Sequence, residues 1–183
     1  MDDRGSTTAR AGDPGVAVIV LVPGVLALLP SYAGLVDPVA PLRAACLDAV
    51  SSFDGPVSVV GTPQGVRVGE SLLVACGRSD TVRGDYLVVA NGSACRTEKA
   101  PGHLDERAAA FDAAIERALL ANDADALAAL DETLATELWA DVAGLRELAG
   151  LLPGHDRPTV HYADDPFGVQ YWVMSWQTEG EQR

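Results

Sequence analysis

Histidine, cysteine and aromatic residues are scarce in this chain of 183 residues. Phe, Trp and Tyr together make up 5%, so a core built from them has to lean on Ala, Val and Leu instead. Cysteines number three, Cys46, Cys76 and Cys95, with no C-x-x-C pair. An odd count without paired spacing excludes a zinc ribbon and a disulfide framework, and reduced thiols point to the cytoplasm. Basic residues are outnumbered two to one: 13 Lys and Arg against 26 Asp and Glu give a net charge of −13. A chain of that sign is repelled by nucleic acid and by anionic membrane surfaces, and its cations form no stripe. The phosphate-binding loop G-x-x-x-x-G-K-[ST], the nucleophile elbow G-x-S-x-G and the zinc motif H-E-x-x-H are all missing. The one long apolar run, Val16 to Leu29, is too short to span a bilayer and is broken by Pro23-Gly24. Its flank MDDRGSTTARAGDPG lacks the net positive charge of a signal segment.

What is present is a globular composition, 48% hydrophobic and 21% charged, of one-domain length. Residues 1–15 read as a disordered tail, 16–177 as one domain and 178–183 as a short C-terminal tail. VAVIVLV (16–22) is a continuous β-branched run, expected for a strand covered on both faces. Asp37 and Pro38 have the form of an N-cap and first helical residue, ahead of a helix burying Leu42, Cys46 or Ala45, and Ala49 or Val50. PVSVVG (56–61), SLLVAC (71–76) and DYLVVA (85–90) read as strands. Leu104 and Asp105 read as a staple and cap for a helix with Ala108, Phe111, Ile115 and Leu119 inside and Glu106, Asp112 and Glu116 outside. Residues 123–152 carry a Leu/Val seam at helical spacing and read as one broken helix or two adjacent ones, stopped by Pro153-Gly154. TVHYADD and GVQYWVMSWQ close the chain as a hairpin. The expectation is an α/β fold, a single-domain sandwich with a central, partly parallel sheet flanked by helices.

The chemistry-bearing stretch is NGSACRTEKAPGHLDER, residues 91–107, at the carboxyl end of a strand and ahead of a helix, where open α/β sheets bind ligands. Cys95 is the candidate nucleophile, with Arg96 and Lys99 placed to lower its pKa. His155 and His161, six residues apart, match no ligand spacing and read as surface histidines.

The order of the NGS loop, R-T-E-K-A-P-G-x-L-D-x-R-A, the FDAAIERAL helix and the closing D-D-P-F-G-V-x-Y strand resembles a group of actinobacterial proteins classed with the class III extradiol ring-cleavage dioxygenases. These belong to the superfamily of protocatechuate 4,5-dioxygenase catalytic chains and Memo-like proteins. The resemblance runs from about Val16 to Gln177. It implies Fe(II) held by two histidines and a carboxylate, with a further histidine as acid/base. In the stretch that matches the first ligand motif, PGVLALLP, Gly24 stands in place of the histidine. In the second, TPQG, Gln64 stands there. Glu137 and Asp141 are both candidates for the carboxylate, and the acid/base loop NGSAC contains no histidine. The resemblance therefore implies a dioxygenase-like fold without its iron ligands, with no metal or other cofactor expected. It implies a role in binding or assembly, as a homo-oligomer or with a different partner chain. Its remnant cleft comprises Gly24, Gln64, Asn91, Gly92, Ser93, Arg96, Glu98, Lys99 and His103. The alternatives are an enzyme built on Cys95 or retained ring cleavage. VRVGESLLVACGRSDTVRGD, residues 66–85, stands in place of a longer stretch with a helix of its own, leaving a wider cleft or a surface for pairing.

Overall fold

The computed structural model describes residues 18–32, 36–78 and 84–178; the expected N-terminal tail and residues 179–183 lie outside them. Five strands form one mixed sheet in the order β2-β3-β1-β5-β4. They are β1 (Ile19–Val22), β2 (Val57–Val60), β3 (Asp85–Val89), β4 (Thr159–Asp164) and β5 (Tyr171–Trp176). β1, β2 and β3 run parallel, whereas β5 pairs antiparallel with both β1 and β4. The expected α/β architecture, partly parallel with a closing hairpin, is what the chain adopts.

The reason lies in the two-residue period of the strands. Ile19, Leu21, Val88, Trp172, Met174 and Trp176 face one layer, and Val20, Val22, Leu87, Val89 and Val173 face the other. Both faces are apolar, so both must be covered. Helices α1 (Ala40–Ser51) and α2 (Pro63–Ala75) cover one. Helices α3 (Ala108–Ala121), α4 (Ala124–Ala128), α5 (Glu132–Glu137) and α6 (Ala143–Leu151) cover the other. Two fully buried tryptophans, Trp172 and Trp176, supply the bulk that scarce aromatics can supply when they are placed centrally.

Several boundaries differ from the sequence reading. SLLVAC is no strand: it is the last part of α2, whose N-cap is Thr62 and whose first residue is Pro63. Leu72 and Leu73 are buried with Val68 at helical spacing, so tertiary contact overrides the strand-like look of the segment. Gly69 permits this, since a Cβ there would lie 2.7 Å from Val59 Cγ1. Asp37 caps a turn rather than the helix, accepting the Val39 N–H at 3.0 Å, and α1 begins three residues later. Its buried stripe is Leu42, Cys46, Ala49 and Val50. Likewise Asp105 accepts the Arg107 N–H, α3 begins at Ala108, and Leu104 is 53% exposed and staples nothing. The 123–152 region is three helices rather than one or two, because Asp123 and Asp131 each cap a new one.

Candidate functional site

The parallel strands β1, β2 and β3 end side by side, and the loops leaving them meet. Asn91 follows β3, Gly24 follows β1, and Thr62 with Gln64 open α2 after β2. Asn91 accepts the Gly24 N–H through Oδ1 at 2.8 Å. Gln64 Nε2 donates to the Gly24 carbonyl at 3.1 Å. The Thr62 hydroxyl accepts the Gly65 N–H at 3.3 Å and donates to Asp141 Oδ2 at 2.7 Å. Asn91 and Asp141 are also joined through the backbone, the Asn91 N–H donating to the Asp141 carbonyl at 2.9 Å. Of the two acidic candidates, Asp141 therefore stands at the strand ends. Glu137 lies on the surface, where it pairs with Arg107 at 2.7 Å.

Iron of the kind the resemblance implies does not fit these residues. A facial site needs two imidazoles and a carboxylate with open positions between them. Gly24 offers no donor, and a Cβ there would sit 3.1 Å from Val89 Cγ1 and 3.2 Å from the Gly65 Cα. A histidine at this position would have to press against Val89 and the first turn of α2. Gln64, Asn91 and Asp141 each have a donor or acceptor atom engaged with the others or with the chain. Among the described residues no group of three or more His, Cys, Asp or Glu side chains gathers in a form able to hold a metal ion.

Residues 92–96 of the 91–107 stretch turn inward and brace the fold. Gly92 donates to the Gln170 carbonyl and Gln170 donates back to that of Ser93, tying β3's end to the β4–β5 turn. Ala94 N–H donates to Leu138, and Arg96 N–H to Gly168. Asp112, expected on the outer face of α3, is instead 2% exposed. It accepts the Ser93 N–H at 2.7 Å and the Ser93 hydroxyl at 2.6 Å. Burial raises its pKa above the ordinary carboxylate value, against the pull of the Ser93 bonds and of Arg96. Arg96 lies 3.6 Å from Asp112 and 3.0 Å from Asp165, bridging α3 to the hairpin turn. Gly92 leaves the room for this, because a Cβ there would meet Asp112 Oδ1 at 2.7 Å. The helical period places Asp112 with Ala108, Ile115 and Leu119, and that is the available signal; its charge argues the other way.

The surroundings of Cys95 are not those that activate a thiol. It is 2% exposed, and its Sγ lies 3.5 Å from the Gly102 carbonyl and 3.4 Å from that of Leu138. Burial raises its pKa, and Asp105 and Asp112 raise it further. Arg96, expected to lower it, points to Asp112 and Asp165 instead. Glu98, Lys99 and His103 are exposed on the outer turn of the loop, and Glu98 and Lys99 form no ion pair among the described residues.

His161 is not a bare surface histidine either. It occupies a bulge in β4, and its Nε2 lies 2.9 Å from Ser175 Oγ. Asp48 stands 3.8 Å from its Nδ1, beyond hydrogen-bond reach, with 79% of its side chain exposed. A catalytic triad needs a carboxylate that is bonded to the imidazole and holds it, so this arrangement orients a ring without activating a nucleophile. No helix of the described residues is long and apolar enough to cross a membrane. Neither a family model nor a curated protein matches the chain.

Proposed function

We propose that the chain is a class III extradiol-dioxygenase-like protein that has lost iron chemistry and acts in the cytoplasm through binding or assembly. The observation that carries this reading is the set of hydrogen bonds that joins the residues at the strand ends. The positions that match the family's ligand motifs hold Gly24 and Gln64, and Gln64 spends its amide on the Gly24 carbonyl. Asn91 and Asp141 are likewise committed, to the Gly24 N–H and to the Thr62 hydroxyl. An amide oxygen is a neutral, weak donor for Fe(II), and one carboxylate beside it does not hold the ion against water. Without a bound ferrous centre the protein has no means of passing electrons to O₂, so ring cleavage is lost together with the metal.

The test is oxygen uptake with protocatechuate and simpler catechols after anaerobic loading with Fe(II). The reading expects no uptake above that of free iron. Turnover that survives desalting and yields a ring-opened product overturns it.

A further inference from the structure

We propose that the outer face of α2 is a self-association surface on which a second copy of this chain packs with its own α2 antiparallel to the first. This deepens the assembly side of the proposed function and rests on that reading only for its biological purpose.

A groove of about 510 Å³ runs between α2 and the 3-10 turns that follow β1. Leu29 and Pro30 form one wall, and Arg67, Glu70, Ser71 and Val74 of α2 form the other. Val74, which lines the groove, is 71% exposed, a large apolar side chain left to water in the last turn of an ordered helix. A lone exposed apolar residue is ordinary, but this one lines a groove.

The charges identify the occupant. Arg67 and Glu70 stand one turn apart on this face, both exposed, and neither forms an ion pair among the described residues. One cation and one anion on a single helix face are self-complementary under a twofold axis. When two copies of α2 run antiparallel, Arg67 of each meets Glu70 of the other, and both pairs form at once. Val66 then faces Ser71 of the second copy, and Val74 lies over the first turn of the second helix. Ser71 is small enough to let the two helices approach. The net charge of −13 opposes association of two like copies at long range. At physiological salt that repulsion is screened beyond about 8 Å, whereas the contact pairs lie well within this distance. An unrelated basic partner would satisfy Glu70 and leave Arg67 facing a like charge, so a second copy fits better.

Light scattering and sedimentation of the full chain at physiological salt test this, with four variants beside it: V74E, R67E, E70R and the double exchange R67E/E70R. Circular dichroism checks that each folds. The expected result is a mass twice that of the chain for the unmodified protein. Each single variant should weaken the dimer by roughly tenfold or more, and the double exchange, which restores opposite charges across the axis, should recover it. A monomer at high micromolar concentration overturns the proposal. So does a dimer indifferent to all three single variants, which would place the interface elsewhere. Iron content and oxygen uptake are measured separately, so failure of the dimer leaves the dioxygenase-like reading to stand or fall by its own test.

Discussion

Asp112 shows how much can depend on one side chain. Its two oxygens satisfy a backbone N–H and a hydroxyl of Ser93, which is itself fully buried. Asp112→Ala strands both donors and is expected to cost about 2–4 kcal/mol in urea unfolding. Asp112→Asn keeps an acceptor for the N–H and can turn its amide toward the hydroxyl, so it costs less. It also removes a charge that burial disfavours. The folded pKa lies above the ordinary value of 3.8, chiefly through burial. Below 3.8 both folded and unfolded chains carry the proton. As pH climbs through the window above it, the unfolded chain ionises first and stability is lost. The midpoint difference between Asp112→Asn and the unmodified protein should therefore shift in favour of the variant from pH 3 to pH 7. A shift in favour of Asp112 would mean that Arg96 outweighs burial. Cys95 is a second residue-scale test. Iodoacetamide at neutral pH should leave it unmodified in the folded protein and label it only after denaturation. Fast labelling in the native state would restore Cys95 as a reactive thiol. Site residues are partly legible at this scale. The resemblance singles out Gly24, Gln64 and, with Glu137 as its equal, Asp141, and Asn91 follows from its place after a strand, whereas Thr62 and the inward turn of Asp112 do not stand out. A hydroxyl and a carboxylate on a helix look alike in sequence whether they face water or a buried partner.

At the scale of elements, the hydrophobic pattern identifies β1, β2, β3 and the closing hairpin, and it sets the inner stripes of α1 and α3. It fails at α2, where Gly65 and Gly69 and a run of Val and Leu look unlike a helix. Thr62-Pro63 is an ordinary helix start, but the β-branched run behind it carries the opposite signal. The glycines have a packing reason that only the fold shows. In α6, two further glycines make opposite predictions. A Cβ on Gly144 would lie 2.3 Å from the Val89 carbonyl oxygen, so Gly144→Ala forces the helix off the sheet and should destabilise by about 1–3 kcal/mol. Gly150, in the same helix, has nothing within 4 Å of that position. Gly150→Ala should stabilise by about 0.5–1 kcal/mol through helix propensity alone. Thermal or urea denaturation of the two variants decides both. Equal effects would mean that α6 does not lie against β3 as described.

For the whole molecule, the alternation of strands and helices is enough to predict a partly parallel sheet with helices on both faces. It cannot give the strand order, because pairing β1 with β5 brings together residues more than 150 apart in the chain. Nor can it show that the strand ends are stitched to one another. On the proposed reading the positions that correspond to a ferrous site are tied to one another by hydrogen bonds, and the molecule works by association instead. The most direct test is iron content after anaerobic Fe(II) loading and desalting, read by elemental analysis against protein concentration. The account predicts far less than one iron per chain, and the same trace amount in the unmodified protein and in Asp141→Asn. Close to one iron per chain, lost on Asp141→Asn, would contradict it.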